Sequence, residues 1–308
     1  MYGLTILGNN SAIPAYDRHP TAQALYWNDE VFLIDCGEGT QMQLTQYKIR
    51  RGKINHIFIS HLHGDHYFGL IGIITSFGLL GREQPLHIYA PAGLEQIIRL
   101  QLQVADTTLP FDLQIHTIET AGTLLSNKHV RVDCFPVKHR IPCFGFRFTE
   151  QKAPRTLLKE KAVAAGIPQY FYNRLKLGED YINKNGEVIL NETVTTAAPA
   201  PLSYAYCADT VYLPEICVHL QQVTLMYHEA TFLQDLEERA AVRFHSTSKQ
   251  AAMMAQHCQP QRLLIGHFSS KYEDLQEFEK EARAVFPKTD LAIEGVTYLL
   301  RRPTEAGS

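Results

Sequence analysis

Short apolar runs alternate with polar turns along almost the whole chain. Runs rich in Val, Ile, Leu, Phe and Tyr and bounded by turn residues predict β-strands. Strands are predicted at residues 4–7, 22–27, 31–35, 54–60, 86–90, 113–118, 130–137, 144–148, 203–207, 223–228, 262–265 and 295–300. Helices are predicted at residues 41–48, 67–80, 93–104, 248–257 and 273–285. This alternation of strands and helices is typical of a layered α/β fold.

One segment departs from this pattern. Residues 152–184 contain seven Lys or Arg residues and three acidic residues, with Tyr170, Phe171, Tyr172 and Tyr181 among them. Its position between core strands favours an insertion that projects from the core. We therefore predict a single domain over residues 1–308 in which residues 152–192 form an inserted basic arm. An ordinary solvated insertion is the alternative.

Composition limits the possible functions. The chain has 308 residues, 45 % of them hydrophobic, which is enough to bury a large core. Its formal net charge is -3, so it lacks the overall basic charge of a protein that coats nucleic acid. An RNA substrate would therefore require a local basic surface, or metal ions that offset its phosphate charge.

Cysteine usage and the N-terminal sequence bear on the compartment. The six cysteines are scattered without a CxxC pair, which favours buried free thiols and a reducing environment. The N-terminal residues lack the basic start and apolar core of a signal peptide. No apolar run approaches the roughly 20 residues that cross a membrane. We therefore expect a cytoplasmic protein without a membrane partner.

The strongest chemical signal directly follows the predicted strand at 54–60. It is the motif His61-x-His63-x-Asp65-His66. Three imidazoles and a carboxylate suit zinc and related divalent ions, and this spacing rarely arises from packing alone. On a tight loop, His61 and His63 can point to one side while Asp65 and His66 point to a neighbouring position. The motif thus predicts two adjacent metal ions, each needing further ligands.

Three more metal-competent residues also come directly after apolar strands. They are His139, Asp209 and His267. A lone histidine after a strand is more often a capping or core residue, so these residues are candidates because the motif needs partners. A carboxylate such as Asp209 can bridge two cations, whereas a neutral imidazole normally cannot.

Two adjacent metal ions suit phosphoryl transfer. They can hold a hydroxide and clamp both the attacking and the leaving oxygen. Asp65 could also accept a proton from the attacking water. The leaving group needs a proton, for which His245 is a candidate general acid and Glu229 a candidate to hold its imidazole. A surface salt bridge between His245 and Glu229 is the alternative.

Taken together, these residues resemble the metallo-β-lactamase superfamily, whose core is an αββα sandwich. Within it, the chain is similar to the ribonuclease Z family in its short form, the tRNA 3′-processing endonucleases. The resemblance covers nearly the whole chain. It is carried by residues 8–20, 35–41, 60–66, 208–210, 228–232, 245–247 and 266–270.

The resemblance implies a role for each matching residue. One zinc ion would be held by His61, His63 and His139, the other by Asp65, His66 and His267, and Asp209 would bridge them. Asp65 would accept the proton, His245 with Glu229 would assist the leaving group, and Asp35 would support the motif loop. The family cuts precursor tRNA after the discriminator base and leaves a 3′-hydroxyl on the tRNA. It works as a homodimer whose protruding arm grips the tRNA elbow, so precursor tRNA rather than DNA is the expected partner.

Other functions remain as alternatives. The first is another hydrolase of this fold acting on small phosphodiesters, such as a cyclic-nucleotide phosphodiesterase, or an arylsulfatase-like enzyme or a lactonase. The basic arm and the His245 and Glu229 segments argue against it. A flavodiiron-type oxidoreductase would usually carry an HxExDH pattern and a flavin domain. A non-catalytic RNA-binding or scaffold protein would be expected to lose ligands, and this chain keeps all seven.

Overall fold

The computed structural model describes residues 1–151, 154–198 and 200–302. Its strands are β1 (Tyr2–Gly8), β2 (Asn10–Ser11), β3 (Ala22–Trp27), β4 (Glu30–Cys36), β5 (Ile54–Phe58), β6 (Leu86–Pro91), β7 (Leu113–Ile118), β8 (Gly122–Ser126), β9 (Val130–Val137), β10 (Cys143–Glu150), β11 (Thr156–Leu157), β12 (Tyr181–Ile182), β13 (Val188–Ile189), β14 (Thr195–Thr196), β15 (Ser203–Cys207), β16 (Leu225–Glu229), β17 (Leu263–Gly266), β18 (Phe268–Ser269), β19 (Thr289–Leu291) and β20 (Thr297–Leu299). Its α-helices are α1 (Thr40–Gln46), α2 (Gly64–Tyr67), α3 (Leu70–Leu79), α4 (Leu94–Val104), α5 (Lys159–Ala164), α6 (Tyr172–Lys176), α7 (Asn191–Val194), α8 (Cys217–Leu220), α9 (Glu237–Arg243), α10 (Ser248–Cys258) and α11 (Gln276–Val285).

Most of the strands form two seven-stranded sheets. Their strand orders are β20-β1-β3-β4-β5-β6-β7 and β19-β17-β16-β15-β10-β9-β8. In the first sheet, β4 to β7 are parallel, and in the second, β15, β16, β17 and β19 are parallel. Loops that follow such parallel strands gather at their carboxyl ends, where ligands commonly bind in α/β folds.

Successive residues of a strand point to opposite faces of its sheet, so they pack in different clusters of the core. In β4, Phe32 and Ile34 face the second sheet, whereas Val31 and Leu33 belong to a separate cluster with α1, α3 and α4. Phe32 packs against Phe148 across the sandwich, with ring centroids 5.6 Å apart. On the other side, α10 and α11 add buried residues to the cluster of the second sheet. The layers are therefore helix, sheet, sheet and helix, as predicted.

The predicted helix at 67–80 corresponds to α3, which begins only at Leu70, and this corrects the predicted start. Helix α2 ends at Tyr67 and α3 begins at Leu70. Between them, Gly69 packs so closely on the loop after β4 that a Cβ atom there would lie 2.2 Å from the carbonyl oxygen of Gly37. The break therefore results from a tertiary contact rather than from the local apolar pattern.

Residues 154–198, between β10 and β15, pack largely on themselves. The short pairs β11–β14 and β12–β13 and the helices α5, α6 and α7 surround a small apolar cluster that shares no residue with the two clusters of the sandwich. The β11–β14 pair brings the two ends of the segment together. Lys152, where the predicted arm begins, lies outside the described residues.

All six cysteines are free, and Cys217 is the one that is not fully buried. Within the described ranges, no helix combines the length and the hydrophobicity needed to span a bilayer.

Candidate metal centre

Seven metal-competent side chains meet at one edge of the sandwich. The motif lies on the loop after β5 and the first turn of α2, and the other residues follow the strands predicted to carry them. Within the described residues, three groups of side chains have their possible ligand atoms within 4.8 Å of one another: His61, His63, His139 and Asp209; Asp65, His66 and His267; and Asp209, His245 and His267. The family resemblance implies the first two of these groups, with Asp209 bridging them.

The first group is a tight set of imidazoles around His63. The Nδ1 atom of His63 lies 3.0 Å from Nε2 of His61 and 3.0 Å from Nε2 of His139. Oδ2 of Asp209 lies 3.6 Å from Nε2 of His61. Three nitrogens and a carboxylate oxygen therefore face one point, which is the donor set that a tetrahedral zinc site uses.

The second group lies directly beside the first. Nε2 of His66 is 3.3 Å from Nε2 of His267, and Oδ2 of Asp65 is 3.4 Å from Nε2 of His267. Asp209 contacts this group as well, through Oδ1 at 3.3 Å from His267 and Oδ2 at 3.5 Å from His66. Asp209 therefore lies between the two groups, where a bridging carboxylate would be.

Four of the five imidazoles are held by a hydrogen-bond partner on the side of the ring that points away from the centre. In each, Nδ1 has a partner and Nε2 faces the centre, an arrangement typical of metal-binding histidines. The partners are Ser60 Oγ for His61 at 3.0 Å, Asp35 Oδ2 for His66 at 2.8 Å, the Phe244 carbonyl oxygen for His139 at 3.0 Å and Thr231 Oγ1 for His267 at 2.9 Å.

Asp35 also holds the motif loop in place. Its carboxylate accepts hydrogen bonds from the Ser60 backbone N–H at 2.7 Å and from the Tyr206 hydroxyl at 2.6 Å, besides the one from His66. Asp35 has a φ of 54°, and His267 has a φ of 62°. Left-handed conformations are uncommon outside glycine and concentrate at functional sites.

The electrostatics of the centre favour a bound cation. Oδ1 of Asp209 is buried and has no hydrogen-bond partner within the described part of the chain. Burial opposes ionisation of this carboxyl, yet His267 and His66 hold its pKa well below the usual value. Burial likewise opposes protonation of His66, but Asp209, Asp65 and Asp35 raise its pKa well above the usual value. In contrast, burial lowers the pKa of His61 well below the usual value, which keeps that imidazole neutral and able to ligate.

Glu229 and His245 form a buried pair next to this centre. His245 Nδ1 donates to Glu229 Oε1 at 3.0 Å and lies 4.0 Å from Asp209 Oδ2. Glu229 is fully buried, so the alternative of a surface salt bridge is wrong. Burial lowers the pKa of His245, but the Glu229 carboxylate outweighs it and raises the pKa to about 9. At neutral pH this imidazole is therefore protonated and able to donate.

Comparison with known proteins identifies the family. Ribonuclease Z of Bacteroides fragilis is 43 % identical over 297 residues, covering 96 % of this chain and 98 % of its own length. Ribonuclease Z of Bacteroides thetaiotaomicron is 42 % identical, covering 99 % of this chain and 97 % of its own. The chain belongs to the ribonuclease Z family. A profile described as Anti-Pycsar protein Apyc1 also matches, over residues 2–153.

A comparison with solved structures agrees with these sequence matches. The crystal structure of human tRNase Z, short form, superposes with a TM-score of 0.69, covering 97 % of this chain and 99 % of that one at 24 % identity. The predicted family, the αββα fold and the class of enzyme, an endoribonuclease that hydrolyses phosphodiesters, are confirmed. The roles of individual residues stay predictions, although the structure brings all nine candidates together.

Several contacts of this centre were not predicted from the sequence. Thr231 and the Phe244 carbonyl hold His267 and His139, the Tyr206 hydroxyl donates to Asp35, and the backbone N–H of Ala12 donates to Asp65 Oδ2 at 2.7 Å. Only Thr231 carries a local signal, because it is a polar residue two positions after Glu229 in a segment already singled out.

Proposed function

We propose that this protein is a zinc-dependent endoribonuclease that removes the 3′ trailer from precursor tRNA and leaves a 3′-hydroxyl on the tRNA. The observation that carries the proposal is the convergence of seven ligand side chains, with Asp209 between the two groups and His245 beside them. The relatives named ribonuclease Z support RNA as the substrate. The cytoplasm is the compartment we propose.

The residues present fit two zinc ions. His61, His63 and His139 with Asp209 would hold one, and Asp65, His66 and His267 with Asp209 the other. The unpartnered Oδ1 of Asp209 supports this assignment, because a buried carboxylate oxygen without a donor is costly unless it meets a cation. When bound, the two ions supply Lewis acidity to the phosphate and to the attacking water.

Hydrolysis forms a bond from a water oxygen to phosphorus and breaks the bond from phosphorus to the 3′-oxygen. We assign Asp65 to accept the proton of the water. The side chain of Asp65 is 11 % exposed, and the Ala12 N–H orients Oδ2, while His66 and His267 keep the carboxyl ionised by lowering its pKa against the effect of burial.

We assign His245 to donate a proton to the leaving 3′-oxygen. Glu229 accepts from Nδ1, so the Nε2 proton remains available, and His245 lines the cavity that opens onto the centre. Because the 3′-oxygen leaves with this proton, the tRNA ends in a hydroxyl and the trailer keeps the phosphate.

We also propose that residues 152–192 form an arm inserted in a single domain over residues 1–308, and that this arm binds the tRNA. Lys159, Lys161 and Lys184 are exposed there, which supports phosphate contacts at a distance from the cut. We further propose that the enzyme is a homodimer, as the family resemblance implies. A molar mass measured by light scattering would test it, and the mass of one chain would contradict it.

The function is tested with a precursor tRNA that carries a 3′ trailer. Purified protein with zinc is expected to cut it once, giving a tRNA with a 3′-hydroxyl and a trailer with a 5′-phosphate. His61→Ala and Asp209→Ala are expected to lower the rate by at least about a hundredfold, because each removes a ligand. His257→Ala, which removes an exposed imidazole of α10, is the matched control and should cleave as the wild type does.

Two results would contradict this function. Cleavage by Asp209→Ala at the wild-type rate would exclude the proposed metal centre. An intact precursor together with hydrolysis of bis(p-nitrophenyl) phosphate would favour the alternative, a hydrolase of small phosphodiesters.

A further inference from the structure

The metal centre opens into a cavity with a single strongly basic side chain. The cavity has a volume of about 460 Å³, and Asp65, Asp209 and His245 form part of its wall. Among the described residues that line it, Arg140 is the only Lys or Arg, whereas three of them are acidic. A polyanion that enters this cavity would therefore meet one permanent positive charge belonging to the protein.

Arg140 is held close to the centre by its neighbour in the chain. His139 is fixed at both ring nitrogens, by the Phe244 carbonyl and by His63. The backbone at Arg140 is anchored in consequence. Arg140 and His63 line the same cavity.

The side chain of Arg140 is free to bind an anion. It is exposed, and no hydrogen bond or ion pair of its guanidinium is found within residues 1–151, 154–198 and 200–302. In particular, it forms no ion pair with Asp65 or Asp209. The guanidinium is therefore an unpaired cation in the wall of the cavity that Asp65 and Asp209 also line.

We infer that Arg140 binds the backbone phosphate next to the scissile one, and so selects an RNA chain over a small phosphodiester. Arginine suits this role because its planar group can bind a phosphate through two hydrogen bonds. A small substrate with a single phosphate has no second phosphate for Arg140 to bind. Every internal phosphodiester of RNA has a neighbouring phosphate that can make this contact. The inference rests on the proposed function, since it assumes that the substrate is RNA.

The test compares Arg140→Ala, Arg140→Lys and Lys138→Ala on two substrates. Lys138 is the matched control, because it is an exposed cation in the same loop that does not line the cavity. Steady-state rates are measured with precursor tRNA and with bis(p-nitrophenyl) phosphate, the former over a series of salt concentrations.

We expect Arg140→Ala to raise the KM for the precursor by about tenfold, the usual effect of losing one charge-assisted hydrogen bond, with kcat changed much less. The slope of log kcat/KM against log salt should fall by about one. The loss on bis(p-nitrophenyl) phosphate should be about tenfold smaller. Arg140→Lys should restore the salt slope and part of the KM, and Lys138→Ala should match the wild type.

Each other result overturns the inference. Equal losses on the two substrates would place Arg140 at the scissile phosphate. An unchanged KM and salt slope in Arg140→Ala, or the same change in Lys138→Ala, would exclude a specific phosphate contact. Wild-type protein that leaves the precursor uncut would overturn the proposed function and this inference with it, whereas cleavage that does not depend on Arg140 overturns this inference alone.

Discussion

Replacing Glu229 by Gln tests whether His245 protonates the leaving oxygen. The Glu229 carboxylate accepts five hydrogen bonds. Three reach Oε1, from the Thr210 and Ser246 backbone N–H groups and from His245, and two reach Oε2, from the N–H and hydroxyl of Thr231. A Gln amide has one acceptor oxygen, so its NH₂ group must face at least one buried N–H donor. The substitution also removes the negative charge that stabilises protonated His245.

These losses set the expected magnitudes. A buried donor without an acceptor costs about 1–3 kcal/mol, so the free energy of unfolding should fall by about that much. A positioned general acid contributes about 10²–10⁴-fold, so kcat on precursor tRNA should fall by about a hundredfold or more. The p-nitrophenolate anion leaves without needing a proton, so the loss on bis(p-nitrophenyl) phosphate should be smaller by at least about tenfold.

The assay is steady-state kcat on both substrates, with urea unfolding to measure the stability of each variant. Glu238→Gln, which neutralises an exposed carboxylate nearby in the chain, is the control. Equal loss of kcat on the two substrates would exclude this role of His245, because it would mean that Glu229 acts on the whole centre and not through protonation of the leaving group.

Other parts of the structure can be tested by substitution. Asp35→Asn weakens the acceptor behind His66, so the affinity for zinc should fall by about 10–100-fold in chelator competition, and an unchanged affinity would exclude this support. Burial, followed by neighbouring cationic groups, lowers the pKa of His56 to about 4 from 6.5. Because the unfolded chain therefore takes up this proton at the higher pH, stability should be lost as the pH falls from about 6.5 to about 4, by at most about 3 kcal/mol. Urea unfolding of His56→Gln should lack this part of the pH dependence, and curves that keep it would contradict the assignment. Reversing the charges of Lys159 and Lys161 together should weaken tRNA binding and lower its salt slope by about two, as measured by fluorescence titration, and unchanged binding would exclude these side chains from the interface.

The elements that could be predicted from the sequence are those whose apolar residues are buried in the core. The strands at 22–27, 113–118, 130–137 and 203–207 coincide with β3, β7, β9 and β15, because each has apolar residues that pack in the core. Strand β8 was missed because none of its five residues is fully buried, so it shows no apolar pattern. Helix α9 was missed for a similar reason, since Ala240 is its one buried residue.

For the candidate site, the ligands could be predicted from the sequence, but the contacts that hold them could not. The motif residues are close in sequence, and the other candidate ligands follow predicted strands, so residue chemistry and strand order together were enough to propose them. The contacts that fix them depend on how the two sheets pack. Tyr206 reaches Asp35 across 171 residues, and Phe244 contributes a backbone carbonyl, which no side-chain pattern can reveal.

The proposed function requires that two zinc ions at this centre drive a single cut at the 3′ side of tRNA. Its most direct test is to titrate zinc into metal-free protein while the ends of the cleaved precursor are mapped. Activity should rise until two equivalents per chain are bound, and the tRNA product should end in a 3′-hydroxyl. Full activity at one equivalent, or a tRNA product that ends in a phosphate, would exclude the proposed function.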